Sequence, residues 1–269
     1  MRLAAVTCVY PPYRGGIGQA AQRQSRLLVE LGHHVEVFCP TGDGEEADAT
    51  TGADAITVHR LKPVFTYNNS ALLPALAGRM RGFDAVWIHY PFFGGAEFAA
   101  AGARLRRLPY AVSFHMDVVA GGIRGAILTA HSHTAAPVIL RGARAVTVGS
   151  RDHALHSSLG RRGLRNLIEL PYGVDTHLYS PGTVSGDERR ALGLDPELPI
   201  IAFVGGMDVP HAFKGVNELL TAFAHPHIAA RAQLVLVGDG ELRAGYEETA
   251  RTLGIADRVR FAPFLGHRR

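Results

Sequence analysis

Gly15-Gly16-Ile17-Gly18 follows an apolar run and opens a helical pattern. Glycines let a backbone approach a ligand closely, and unbonded N–H groups at a helix start favour phosphate or sugar oxygens. Gly16, Gly18 and Ala21 also meet the letters of a G-x-G-x-x-A dinucleotide fingerprint. Tyr10 to Gly15 intervenes where those glycines should follow the strand directly, and the acidic residue at the right distance, Glu36, lies inside the next strand pattern. A plain tight turn is the competing reading. Ser113-Phe114-His115-Met116-Asp117 ends another strand pattern, and ligands of parallel sheets lie beyond the carboxyl ends of the strands. His115 there suits a sugar hydroxyl, or is satisfied by loop carbonyls; His89 ends the preceding strand in the same way. His131 and His133, two apart on a helical pattern, share no face and read as surface residues, not as a metal pair.

Three further turns complete the set. Leu170-Pro171-Tyr172-Gly173-Val174-Asp175 leaves the last strand of the first half, with a structural turn as its default reading. In Phe203-Val204-Gly205-Gly206-Met207-Asp208, then His211-Ala212-Phe213-Lys214-Gly215, a strand, a glycine pair, a loop and a helix start succeed one another. That order builds a diphosphate site. Only two of the 28 Lys and Arg residues are lysines, Lys62 and Lys214. A lysine at 214 therefore suggests a compact point charge in preference to a planar fork, the alternative being an exposed lysine. Leu236-Val237-Gly238-Asp239-Gly240-Glu241 repeats the construction and faces a base or ribose, or only turns the chain.

These turns need strands to carry them. Apolar strand patterns fall at 3–9, 35–39, 55–59, 84–89, 110–114, 143–148 and 166–170, with helical patterns such as 17–31 between most of them. Such alternation predicts a mostly parallel sheet covered on both faces. Residues 42–54 read as an exposed loop, and 179–187 has the composition of an interdomain hinge. A second series follows: strands at 200–204, 234–237 and 259–261, helices at 216–224 and 241–253. A complete doubly wound domain needs about five or six strands, so the second half is expected to be incomplete.

Composition narrows the classes. The 269 residues are 47% hydrophobic and 19% charged, which excludes a disordered chain. No run reaches the ~18 apolar residues of a membrane-spanning helix, and no separate apolar leader precedes the first strand pattern. Cys8 and Cys39 lie in strand-like runs and read as buried free thiols, so a cytosolic protein is expected. The net charge of +4 comes with short clusters at Arg104, Arg106, Arg107 and at Arg161, Arg162, Arg165. Without an aromatic-interleaved motif or paired metal-ligand cysteines, these suit an anionic membrane surface better than nucleic acid.

In their order, Pro12-x-x-Gly15-Gly16, the His115 loop, Pro171-Tyr172-Gly173-Val174-Asp175, Phe203-Val204-Gly205, Lys214-Gly215 and Val237-Gly238-Asp239-Gly240 resemble the family 4 retaining glycosyltransferases. The resemblance runs from residue 2 to about 265 and implies the α/β GT-B architecture of two Rossmann-like domains, the second incomplete here. It implies an acceptor-side domain over 1–178, a linker over 179–198 and a partial donor-binding domain over 199–269. Carried across, Gly15 and Gly16 pack against the donor diphosphate, His115 touches the transferred hexose, and Lys214 balances the leaving group. Gly205 and Gly215 belong to the same diphosphate turn, while Gly238 and Gly240 border the nucleoside. The activity implied is hexosyl transfer from a nucleoside-diphosphate sugar to a lipid, glycan or small acceptor, with retention and with neither cofactor nor metal. Acceptor choice falls to loops such as 66–70 and 91–95. Gly206-Met207 stands where the family commonly has an arginine, and the family's paired glutamates and returning terminal helix would follow Arg269. Turnover by these 269 residues is therefore expected to be impaired; the alternative is a non-catalytic fragment that binds an acceptor or a membrane surface. A nicotinamide-dependent oxidoreductase is a third reading, disfavoured by the context of Gly16 and Gly18.

Overall fold

The computed structural model describes residues 1–13, 15–42, 56–67, 70–118, 121–164, 166–177, 179–182 and 184–263. It divides into two units, Met1–Asp175 and Thr176–Arg269. Most of the loop expected at 42–54, along with Arg165, lies outside the described residues.

The first unit holds β1 (Arg2–Val6), β2 (His34–Pro40), β3 (Ile56–Leu61), β4 (Phe65–Tyr67), β5 (Ser70–Leu72), β6 (Ala85–Tyr90), β7 (Tyr110–Phe114), β8 (Ala145–Val148) and β9 (Leu167–Glu169). Seven of them form one sheet in the order β3-β2-β1-β6-β7-β8-β9, parallel throughout. Its strands are short apolar runs because helices cover much of both faces. The helix Gly16–Glu30 presses Ala21 onto Ala5, Val35, Val37 and Val58. On the opposite face, Ala99 and Ala103 of the helix Ala96–Leu105 and Ile139 and Leu140 of the helix Ala135–Gly142 pack on Ile88, Val112 and Val146. The strand order reverses at β1, with β2 on one side and β6 on the other. In open parallel sheets ligands sit beyond the carboxyl ends of the strands at such a switch point.

The structure corrects several expectations. The first strand ends at Val6, not at residue 9, because Thr7 turns the chain by donating its hydroxyl to the Val9 carbonyl (2.9 Å). The expected loop at 66–70 carries parts of an antiparallel hairpin, β4 against β5. The expected linker contains a helix, Gly186–Ala191, started by a capping box between Ser185 and Glu188. That Ser-x-x-Glu spacing is itself a helix-start signal.

In the second unit, β10 (Ile200–Val204), β11 (Gln233–Val237) and β12 (Val259–Ala262) are parallel and adjacent in chain order. Val216, Leu220 and Phe223 of the helix Val216–Phe223 and Tyr246 of the helix Arg243–Thr252 bury against Leu234 and Leu236.

Candidate functional site

At the switch point of the first unit, Gly15 is the extended residue before the helix Gly16–Glu30. A methyl on Gly18 would lie 3.0 Å from the Val9 carbonyl oxygen, so this glycine serves close packing of helix on loop. Gly16 differs: among the described residues nothing lies within 4 Å of an added methyl. The two glycines of the dinucleotide-like spacing thus do different work.

His115 follows β7 and lies at the centre of a polar chain. Its Nε2 is 3.0 Å from Nδ1 of His89, and its Nδ1 is 2.7 Å from the Tyr172 hydroxyl. The three rings stack, His89 on His115 at 5.3 Å and His115 on Tyr172 at 5.5 Å between centroids. The adjacent sheet face is polar too, with Trp87 Nε1 donating to Ser113 Oγ and that hydroxyl 2.8 Å from Thr147 Oγ1. Arg23 holds the Tyr172 loop to the long helix by donating to the Gly173 carbonyl (3.3 Å). The expectation that His115 is satisfied by loop carbonyls is corrected, because its partners are side chains. Both ring nitrogens are occupied, so a sugar hydroxyl must displace Tyr172 to reach Nδ1.

Burial pushes His115 down to about 4, and burial followed by the neighbouring His115 pushes His89 well below the ordinary histidine range. Both imidazoles are neutral at pH 7, fit to orient a ligand and not to carry charge. Between about pH 6.5 and 4 the unfolded chain binds protons that the folded chain refuses, so stability falls as pH drops through that window. The His115 share amounts to about 3 kcal/mol on its shift. Urea melts at pH 7.5, 5.5 and 4.5 are expected to show a smaller acid loss for His115→Gln than for the unmodified chain. Equal slopes would refute the buried, neutral histidine.

On the other face of β6 and β7 a cavity of about 40 Å³ is lined by Tyr90, Phe93, Met116, Asp117, His131 and Arg162, among others. His131 is no surface residue: its Nε2 donates to Glu97 (2.5 Å), and its ring meets Phe93 edge to face at 4.8 Å. The carboxylate can only accept, so Nε2 carries the proton and Nδ1 faces the Tyr90 hydroxyl at 3.5 Å. Glu97 and His131 are 34 residues apart, and no local spacing announces the pair.

In the second unit the turns after β10 and β11 are built on each other. Gly205 N donates to the Val237 carbonyl (2.9 Å), Met207 N to that of Asp239 (2.9 Å) and Leu242 N to that of Met207 (2.8 Å). Gly238 and Gly240 have φ of +153° and +151°, and a methyl on either would overlap the turn after β10. Lys214 closes the 3-10 turn Val209–Lys214 and folds back, so that a methyl on Gly205 would lie 2.9 Å from its Nζ. The next residue, Gly215 (φ +74°), starts the helix Val216–Phe223. Gly205, Lys214, Gly215, Gly238 and Gly240 thus gather at one end of this sheet. Asp208 and His211 belong to the same turn: Asp208 Oδ1 accepts from His211 N (3.1 Å) and His211 Nδ1 (2.5 Å). A sequence reading assigns that pair no role.

Among the described residues no three His, Cys, Asp or Glu side chains stand together to hold a metal, and no helix is long and apolar enough to cross a membrane. Arg104, Arg106 and Arg107 precede β7, whereas Arg162 lines the cavity beyond its carboxyl end. Cys8 and Cys39 are buried as expected, and burial is the main cause raising the Cys8 thiol to about 12.

Residues 15–173 match the model of the glycosyl transferase 4-like domain. D-inositol 3-phosphate glycosyltransferase of Stackebrandtia nassauensis is 26% identical over 94% of this chain, which spans 62% of that relative's length. An uncharacterized glycosyltransferase of Methanocaldococcus jannaschii is 24% identical over 98% of the chain and 70% of its own length. Among solved structures, sucrose-phosphate synthase of Thermosynechococcus elongatus superposes with a TM-score of 0.71 at 20% identity, covering 99% of this chain and 71% of that one. Anabaena HepE, solved in complex with UDP and glucose, gives 0.68 at 16% identity, covering 99% and 70%. The fold is accordingly α/β with parallel sheets, resembling the GT-B glycosyltransferases.

Proposed function

This chain belongs to the glycosyl transferase 4-like family, and from that premise we propose that it moves a hexose from a nucleoside-diphosphate sugar to an acceptor hydroxyl, with retention. The observation that carries the reading is the glycine-built double turn with Lys214 folded over Gly205. A diphosphate needs backbone that comes close and a cation for the charge that grows as the sugar leaves. Glycine at 205, 206, 238 and 240 offers the first, and Lys214 the second. In the first unit, Gly15 and Gly16 offer backbone that a ligand can approach, and neutral His115 would orient a sugar hydroxyl after Tyr172 gives up Nδ1. Front-face attack then rests on positioning and leaving-group stabilisation, with no step routed through a metal or a cofactor. HepE, solved with UDP and glucose, supports a nucleotide sugar as the ligand class.

Titration calorimetry of the full chain with UDP-glucose, GDP-mannose and ADP-glucose is the test. At least one is expected to bind with Kd below about 1 mM, while NAD gives no thermal shift. Failure of all three sugar nucleotides would overturn the reading.

The proposal extends to a peripheral contact with an anionic membrane on the cytoplasmic side. Leu105 is 80% exposed, and Arg104, Arg106 and Arg107 flank it. Co-sedimentation with phosphatidylserine vesicles is expected at low salt and should be lost above about 0.5 M, where screening is nearly complete. No sedimentation at low salt would end it.

A further inference from the structure

Lys214 is not the sole basic side chain laid over the glycine pair. A methyl on Gly205 would lie 2.9 Å from Lys214 Nζ, and one on Gly206 would lie 2.9 Å from His211 Nδ1. Successive glycines at the carboxyl end of β10 therefore each lie beneath a side chain of the turn Val209–Lys214, an ammonium over Gly205 and an imidazole ring over Gly206. The His211 ring is fixed. Asp208 Oδ1 takes a bond from its backbone N–H and another from its Nδ1, so the ring cannot rotate without breaking the second. A carboxylate only accepts, which puts the proton on Nδ1 and leaves the Nε2 lone pair unused by that bond. When Nε2 gains a proton it becomes a donor and the ring a cation, with Asp208 behind it to stabilise the charge. The side chains of His211 and Asp208 stay 43% and 40% exposed, so this pair does not serve core packing.

We infer that His211, oriented by Asp208, is a second cationic ligand of the donor diphosphate beside Lys214, and that it takes up a proton as the donor binds. The inference rests on the donor reading above and adds to it a residue and a pH dependence. The charge requirement is plain: the diphosphate of a sugar nucleotide carries two negative charges, and Lys214 supplies one positive charge. An imidazolium supplies the other, because the bound anion favours the charged form of a ring beside it. Charged and titratable groups on the elements packed around this turn include Asp208 and Lys214 within it, Asp239 and Glu241 in the turn after β11, Glu218 on the following helix, and Tyr246 with the Arg243–Glu247 ion pair on the helix Arg243–Thr252. Glu241 is committed to Val209 N (3.0 Å), and a methyl on Gly215 would lie 3.4 Å from a Glu218 carboxylate oxygen. Asp208 is the carboxylate in contact with the ring.

Calorimetry on the full chain tests this, using whichever of UDP-glucose, GDP-mannose or ADP-glucose binds tightest. Their diphosphates are diesters with no proton to exchange near neutrality, so any uptake comes from the protein. Titrations at pH 6 and pH 8.5, each in two buffers of different ionisation enthalpy, give affinity and proton uptake together. The unmodified chain is expected to bind about tenfold tighter at pH 6 and to take up a fraction of a proton at pH 7. His211→Asn keeps a group able to reach Asp208 but drops Nε2; it is expected to flatten the pH dependence to within about twofold and to abolish uptake. His211→Gln is the second variant, should the asparagine protein not fold. Lys214→Ala is expected to weaken binding at both pH values while keeping the uptake. Unchanged affinity and uptake in a folded His211 variant would overturn the inference and leave the donor reading standing. If the unmodified chain binds none of the three donors, the donor reading fails and the inference falls with it.

Discussion

Replacing Lys214 by alanine is expected to slow release of nucleoside diphosphate from a bound donor by about 10²–10³-fold, with little change in thermal midpoint. The side chain is exposed overall, and Gly205 leaves room for it: a methyl there would lie 2.9 Å from Nζ and 3.1 Å from the Phe203 ring. Its loss therefore removes little buried apolar area, and the effect falls on the step in which negative charge grows. A fixed cation aimed at developing charge is worth about 3–4 kcal/mol in such steps, which is the rate factor quoted. Lys214→Arg keeps the charge but puts a planar fork where a compact ammonium fits against Gly205, so it should recover part of the rate only. Single-turnover assays with the donor, read beside thermal melts, separate the two quantities. Turnover within twofold of the unmodified chain would remove Lys214 from the chemistry.

The order of motifs made the second-unit turns legible, because glycine pairs after strand patterns are local features that survive without tertiary information. The strands were legible for the same reason: in a parallel sheet much of both faces is covered, so each strand reads as a short apolar run. What the sequence hid is long-range. Tyr172 reaches His115 across 57 residues, and the loop containing it reads as an ordinary turn. His131 sits where helical periodicity suggests solvent, yet Glu97 and Phe93, from the loop and helix after β6, enclose it. The hairpin of β4 and β5 escaped because each strand has three residues, too few for alternation to show. Asp208 and His211 were visible as letters, but only the ring's position against Gly206 gives the pair a role.

Gly240→Ala and Gly238→Ala are expected to destabilise the second unit by about 3–5 kcal/mol each, lowering its thermal midpoint by more than about 10 °C. Both positions have φ near +150°, a region that side-chain-bearing residues rarely adopt. At 240 a methyl would also lie 2.6 Å from Asp208 N and overlap the Met207 carbonyl. Relief requires the two turns to part, which breaks the bonds from Met207 N and Leu242 N and lifts Met207, 1% exposed, out of the core. Strain and lost pairing act in the same direction, so the cost exceeds either alone. Gly16→Ala is the contrasting case. Among the described residues nothing lies within 4 Å of its methyl and the residue is helical, so stability should stay within about 0.5 kcal/mol or rise. If Gly16 faces a donor phosphate, the same methyl should weaken donor binding at least tenfold in calorimetry. The two classes of glycine thus part on different axes, heat for 238 and 240 and ligand for 16. A Gly240→Ala protein that melts normally would show that the turns are not interlocked.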